Sequence, residues 1–292
     1  MRLGLAASVI GILAAAAAAG GSAAAVSAGS KTVLVSVAAT ASGPIQGLSA
    51  GDVKVQEDKT PVEVTEVVPA TDPMSVVLVL DVTYPMGRNP PTQDLRRAVT
   101  SFVSTVRSGA PDAQFAILSV SNAAVPLVDF TSDQARIADA IGHIVVGAQT
   151  GSVMLEGVVR ASQSLEHRPA PRRAIVAVSF GSAEAGAERP SNVAKELQKS
   201  GATLWTMSLA SSSDVAQAAA RDEAWSKLTA ASGGLGLAGV EVTGLDNQLK
   251  TIANTLVSQY SVTFARKGDG AVKPLTGETA KGAKILFSRW MR

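Results

Sequence analysis

Residues 75–80 read SVVLVL, and residues 174–180 read AIVAVSF. Runs of consecutive apolar residues are typical of strands that are buried on both faces of a parallel sheet. The remaining pattern alternates between strand and helix spacing. Further strands are predicted at Ala113–Val120 and Ala202–Leu209, and helices at Leu95–Val106, Asp133–Val146, Leu155–Leu165, Val193–Gln198, Val215–Ala231 and Leu245–Val257. This alternation predicts an α/β fold, with a doubly wound, mostly parallel sheet and helices on both faces.

The two ends of the chain have a β-rich pattern instead. Short strands separated by turn residues are predicted at Thr32–Val37, Val53–Gln56, Val62–Val68, Tyr260–Ala265 and Ala283–Phe287. We therefore divide the chain into a signal peptide (1–28), a β-rich lead (29–72), an α/β domain (73–264) and a β-rich tail (265–292).

The first 28 residues have the three-part layout of a secretory signal peptide. Arg2 is followed by the apolar run Leu3–Ala19 and by small residues that end in Val26-Ser27-Ala28. Cleavage is predicted between Ala28 and Gly29, which would export the protein to the periplasm or the extracellular space. A retained anchor is the alternative, although the run is short for a membrane span. No later segment is apolar and long enough to span a bilayer.

Composition excludes several classes of function. The net charge is +2, and no cluster of Lys or Arg is dense enough to follow a phosphate backbone, so nucleic-acid binding is not expected. The chain has no cysteine, and its two histidines, His143 and His167, lie in a helical pattern and a surface-loop pattern. A catalytic triad or a histidine-ligated metal is therefore not supported.

One glycine pattern mimics a nucleotide-binding motif. Gly234, Gly236 and Gly239 fit G-x-G-x-x-G, but a helix pattern precedes them and a strand pattern follows, the reverse of the dinucleotide-binding order. We interpret these glycines as a helix C-cap and a turn.

Ligands of open α/β sheets bind outside the carboxyl ends of the strands. Three loops are predicted there: Asp81-Val82-Thr83-Tyr84-Pro85, Gly151-Ser152 and Ser179-Phe180-Gly181. Their order and spacing resemble the von Willebrand factor A (VWFA) domain, and the resemblance covers roughly Thr32 to Phe264. The lead sequence GPIQGLSAGDVKVQED is similar to that of the bacterial branch called VWFA-related proteins.

The resemblance implies a metal-ion-dependent adhesion site, built in that family from an Asp-x-Ser-x-Ser loop, a Thr and a further Asp. Asp81, Thr83 and Ser152 match three of these positions, with Thr150 as an alternative to Ser152. Pro85 replaces the second hydroxyl and Phe180 replaces the last carboxylate. Because Mg²⁺ requires near-octahedral oxygen ligation and usually one or two carboxylates, we expect no cofactor, or at most weak Mg²⁺ binding.

Two aromatic residues are expected at the same edge. Tyr84 and Phe180 are candidate contacts for a partner, since aromatic residues are enriched at interfaces. In the alternative arrangement, Phe180 turns inward and fills the vacated metal pocket.

The resemblance implies a non-enzymatic module that binds another protein or acts in adhesion through its carboxyl-edge loops. The first alternative is a passive scaffold for envelope assembly, in which the β-rich ends make the contacts. The second is a hydrolase that uses Asp81 and neighbouring hydroxyls, which lacks a recognisable base.

Overall fold

The computed structural model describes residues 29–37, 45–85, 89–149, 151–209, 215–266, 275–280 and 285–287. The predicted signal peptide, Ala28 and Thr150 lie outside these residues. Within them, the strands are β1 (Ser30–Val37), β2 (Val53–Glu57), β3 (Thr60–Val62), β4 (Val64–Pro69), β5 (Met74–Asp81), β6 (Gln114–Val120), β7 (Ala124–Thr131), β8 (Gly151–Ser152), β9 (Arg172–Ser179), β10 (Ala183–Glu184), β11 (Thr203–Leu209), β12 (Gly236–Val240), β13 (Tyr260–Ala265), β14 (Leu275–Thr279) and β15 (Ile285–Phe287). The α-helices are α1 (Thr92–Gly109), α2 (Gln134–Gly142), α3 (Met154–Glu166), α4 (Pro190–Ser200), α5 (Val215–Ser232) and α6 (Leu245–Val257).

The central sheet has six strands in the order β12-β11-β9-β5-β6-β7. All neighbours pair in parallel except β7, which is antiparallel to β6. Every residue of β5 is buried, because one face packs against α1, α2 and α6 and the other against α3, α4 and α5. The predicted doubly wound, mostly parallel fold is confirmed. We call this part, from β5 to α6, the α/β unit.

The lead and the tail form one structure rather than two separate ends. β1 pairs antiparallel with both β13 and β15, and β4 completes a sheet in the order β15-β1-β13-β4. β14, β2 and β3 form a second small sheet, and a common apolar cluster lies between the two sheets. β14 was not predicted, and β13 belongs here although the sequence division places it in the α/β domain. We call this part the β unit.

Two local predictions need correction. The helix predicted over Asp133–Val146 ends at Gly142, because the chain then turns towards the loop at Gly147; Ile144 remains buried, but Val145 is 65% exposed. Gly236 and Gly239 lie in the edge strand β12 and not in a turn. Gly234 does belong to the turn, where a Cβ atom would lie 1.8 Å from the carbonyl oxygen of Leu204.

A buried arginine joins the two units. Arg172, at the start of β9, donates to the carbonyl oxygens of Ala70 (2.8 Å) and Leu256 (2.5 Å) and to the Gln259 side chain (3.3 Å). The Gln259 amide donates in turn to the Ser36 hydroxyl in β1 at 2.8 Å. Burial lowers the pKa of Arg172 to about 10, and the charge of Asp72 opposes this shift. The guanidinium therefore remains charged at neutral pH and connects the central sheet to the β unit.

Replacing Arg172 by Met is expected to lower the free energy of unfolding by about 2–3 kcal/mol, because buried carbonyl oxygens lose a charged donor. Urea unfolding measures this loss. The control is Arg189→Met, since Arg189 is exposed and its replacement should change stability by less than about 0.5 kcal/mol. Equal stability of Arg172→Met and wild type would show that the desolvation cost of the guanidinium cancels its hydrogen bonds.

Candidate functional site

The candidate site lies at the carboxyl edge of the central sheet, where three loops meet. The first loop (82–85) follows β5, the second (147–149 and 151–153) precedes α3, and the third (180–186) follows β9. We call the polar group between them the carboxyl-edge site. Its members are all nearly or fully buried: Asp81, Thr83, Ser152, Ser179 and Ser182.

The carboxylate of Asp81 accepts hydrogen bonds from two loops. Thr83 donates to Oδ1 through its backbone N–H (2.9 Å) and through its hydroxyl (2.6 Å). The backbone N–H of Phe180 donates to Oδ2 at 3.1 Å, and the Ser179 hydroxyl lies 3.5 Å from the same oxygen. A carboxylate has about four acceptor positions. Protein donors occupy these positions, so the carboxylate is satisfied within the fold.

Ser182 is a site residue that the sequence analysis missed. Its hydroxyl contacts the Thr83 hydroxyl and lies 3.4 Å from the Thr83 carbonyl oxygen, which joins the third loop to the first. The family pattern gives no reason to select this serine. The only signal is its position three residues after the end of β9.

Ser152 lies at the site, as predicted, but it is not joined to the others by a hydrogen bond. Its side chain is 1% exposed, and its hydroxyl makes no hydrogen bond to the described protein atoms. The hydroxyl is nonetheless close enough to Asp81 to favour the charged carboxylate. The structure therefore brings Asp81, Thr83 and Ser152 together, with the Ser152 hydroxyl close to the carboxylate.

Burial dominates the electrostatics of Asp81. Desolvation raises the pKa of this carboxyl group above its ordinary value of 3.8, and the hydrogen bonds from Thr83 and Phe180 only oppose the shift. Because the pKa of the folded state lies above that of the unfolded state, the stabilising contribution of this group is complete at low pH. It is lost as the pH rises through the folded value.

This sign predicts a pH-dependent difference between wild type and Asp81→Asn. As the pH falls from about 7 to about 4.5, the free energy of unfolding of the wild type should rise relative to that of the variant, which cannot take up this proton. Denaturant unfolding across this range measures the difference, and the other titrating groups cancel because both proteins share them. A relative loss of wild-type stability on acidification would mean that the hydrogen bonds outweigh desolvation.

The sequence left two arrangements of Phe180 open, a contact residue at the edge or a side chain turned inward. The structure shows the side chain turned inward. Its side chain is 0% exposed and belongs to the same apolar cluster as Val176 and Val178 of β9, so it continues their alternation by two residues. It therefore offers no contact surface to a partner. Tyr84 is half-buried and packs edge-on against Phe180, with the ring centroids 5.9 Å apart. Tyr84 remains a candidate contact at the rim.

Truncating this buried ring should be costly. Phe180→Ala is expected to lower the free energy of unfolding by about 3–5 kcal/mol, as for other buried Phe→Ala changes. Phe180→Leu should cost less because it fills more of the volume. Thermal or urea unfolding measures both, with the exposed Val145→Ala as control. A loss below about 1 kcal/mol in Phe180→Ala would argue against the buried arrangement.

The site does not fit the Mg²⁺ that the family resemblance implies. It holds one carboxylate, whose acceptor positions are occupied, and Pro85 and Phe180 contribute no side-chain oxygen. Within the described residues, no cluster of three or more His, Asp or Glu side chains could hold a metal ion. Mg²⁺ usually needs one or two available carboxylates.

A second carboxylate lies nearby on the third loop. Glu184 Oε2 accepts a hydrogen bond from the backbone N–H of Leu155 at 3.1 Å, and Oε1 accepts from Gly186 at 3.2 Å. The residue is exposed overall, yet burial of its carboxyl group raises its pKa, and the charge of Asp81 adds to the shift. Only the tertiary structure places Glu184 here. In the sequence it is a carboxylate four residues beyond Phe180.

Backbone hydrogen bonds also join the loops. Tyr84 N–H donates to the Gly147 carbonyl and Gly147 N–H to the Val82 carbonyl, both at 2.8 Å. β8 pairs in parallel with β10, and Ala185 N–H donates to the Ser152 carbonyl at 2.9 Å. The second loop is thus bonded to both the first and the third.

The fold and this loop arrangement define an α/β domain in which three hydrogen-bonded loops meet at the carboxyl edge of a mostly parallel sheet. Residues 76–182 match the model of the von Willebrand factor type A domain, so this part of the chain is similar to that family. The match includes all five members of the carboxyl-edge site.

Solved structures of low sequence identity share the fold. A von Willebrand factor type A protein from Catenulispora acidiphila is 12% identical, with a TM-score of 0.53, covering 89% of this chain and 74% of that one. Proximal thread matrix protein 1 from the mussel byssus, whose metal-ion-dependent adhesion site (MIDAS) motif holds zinc, is 13% identical. Its TM-score is 0.54, and the match covers 70% of this chain and 50% of that one. The PilB minor pilin from Streptococcus sanguinis is 10% identical, with a TM-score of 0.50 and coverages of 65% and 63%. No curated protein sequence matches the chain.

Proposed function

We propose that this chain is an exported, non-enzymatic module that binds another protein through the loops at the carboxyl edge of its central sheet. The observation that carries the proposal is the exposure of apolar side chains beside that edge. Among the described residues, the large hydrophobic side chains that stand out as exposed are Val145 (65%), Val125 (50%) and Val68 (41%). The two most exposed belong to segments at the carboxyl edge.

The topology gives their positions. Val125 pairs with Ser119 near the carboxyl end of β6, and Val145 comes two residues before Gly147, which pairs with Thr83. Tyr84 is half-buried on the first loop at the same edge. Exposed apolar side chains and aromatic rings at one edge are typical of protein interfaces, where charged residues are depleted at the centre.

The hydrogen bonds of the site support this role in a second way. Each of the three loops is bonded to another, so the loops are held in place before a partner arrives. A preorganised surface loses less conformational entropy on binding. The contact would therefore be made by side chains on a rigid edge and would need no metal bridge.

Export is supported by the sequence of residues 1–28, with Gly29 as the first residue after the proposed cleavage. Gly29 directly precedes β1. In the described part of the chain, no helix is long and apolar enough to cross a membrane. Two proteins of similar fold are, by name, a matrix protein of the mussel byssus and a minor pilin, which agrees with action outside the cell.

A non-enzymatic role is supported by the partners of Asp81. Its described hydrogen bonds come from Thr83, Ser179 and Phe180, with no histidine or lysine among them. Nucleophilic or acid–base catalysis needs such a partner within hydrogen-bond reach. The scaffold alternative has one specific observation in its favour, which is the exposure of Val68 on β4, at the edge of a sheet in the β unit.

Matched charge substitutions distinguish these two functions. Val145→Glu places a charge at the carboxyl edge, and Val68→Glu places the same charge on the β unit; both positions are exposed, so folding should be unaffected. With the immobilised chain as bait for envelope extract, Val145→Glu should reduce capture of the specific partner at least about tenfold, because a buried unpaired charge costs more than 1.4 kcal/mol. Val68→Glu should leave capture unchanged.

The reverse pattern, with loss only in Val68→Glu, would support the scaffold and contradict our proposal. If neither substitution reduces capture of the partner, the interface lies outside both surfaces, which would also contradict our proposal. Circular dichroism of each variant serves as the folding control.

A further inference from the structure

We infer that protein groups alone close the carboxyl edge of this domain, and that Glu184 joins the third loop to α3, so that folding and stability do not depend on a divalent metal. In the related adhesion-type site, a metal ion connects the loops. Here the two carboxylates at the edge accept hydrogen bonds from backbone N–H groups of neighbouring loops.

Asp81 provides the first connection. It belongs to the end of β5, and it accepts hydrogen bonds from the first loop through Thr83 and from the third loop through Phe180. Ser182 strengthens the same connection through its contact with the Thr83 hydroxyl. A cation bound to Asp81 would compete with these donors for the same two oxygens.

Glu184 provides the second connection, between the third loop and the helix that follows the second. The N-cap of α3 is Val153, whose side chain cannot accept a hydrogen bond. Glu184 supplies the missing acceptor from another loop, since its carboxylate binds the backbone N–H of Leu155. A negative charge at a helix N-terminus is also favoured by the helix dipole.

The glycines of these loops are consistent with a tightly closed edge. A Cβ atom at Gly186 would lie 2.9 Å from Glu184 Oε1, and one at Gly151 would lie 3.1 Å from the Cβ of Ala185. Glycine at 186 leaves room for the carboxylate that caps α3. Glycine at 151 lets β8 and β10 pair closely.

The first test compares thermal unfolding in EDTA with unfolding in millimolar Mg²⁺, Mn²⁺ or Ca²⁺. The midpoint should agree within about one degree in all four conditions. A metal present at a hundred times its Kd would raise the midpoint of a domain of this size by several degrees. Such a rise, abolished in Asp81→Asn, would overturn the inference.

The second test examines Glu184 by amide hydrogen exchange. In Glu184→Ala, the Leu155 and Gly186 amides should exchange about fivefold faster or more, as expected for a lost helix cap worth about 1 kcal/mol. Gly186→Ala should accelerate the Leu155 amide as well, because it displaces the carboxylate without removing its charge. The matched control is Glu156→Ala, which removes an exposed negative charge from the same first turn of α3.

The Glu156→Ala control should leave exchange at Leu155 within twofold of wild type. Unchanged protection in Glu184→Ala, or equal acceleration in both variants, would refute the role of Glu184. Neither test involves a partner, so a failure here is distinguishable from a failure of the proposed binding function.

Discussion

Burial of β5 on both faces is the constraint on which the rest of the structure depends. A strand without a solvent-facing side needs helices on both sides of its sheet, and this requirement produces the two layers of three helices. It also means that Asp81, the last residue of β5, is already out of water when the strand ends. A charged group in that position must find donors within the protein. The loops around it are arranged to supply them.

Much of the α/β unit could be predicted because its signals are local. Consecutive apolar residues marked β5 and β9, and regular spacing marked α6 with its observed bounds, Leu245–Val257. The β unit was harder, because pairing of Ser30 with Ala265 joins segments from opposite ends of the chain. No local pattern records which distant strand will be a neighbour. Strands were therefore predicted in the lead and the tail, but their pairing and β14 were not.

The residues of the site also fall into two groups, those that sequence spacing identifies and those that only the tertiary structure places there. Asp81, Thr83 and Ser152 could be selected because family spacing marks them. Ser182 and Glu184 take part only because the fold brings the third loop against the first loop and against α3. The direction of Phe180 was available in principle: it continues the alternation of Val176 and Val178 towards one apolar cluster. Its ring therefore belongs to the core and not to the surface of the carboxyl edge.

The pairing of β1 with β13 and β15 makes the α/β unit an insertion within the β unit. β13 and β15 follow the whole α/β unit in the chain. During synthesis, β1 therefore has unpaired edges until that unit has been made. Contacts between such distant segments slow folding, because a long loop must close before they form. If the chain is exported from its N-terminus, this strand is the first part to emerge and among the last to be completed. An unpaired strand edge can pair with another chain, so β1 would need protection from such pairing during export.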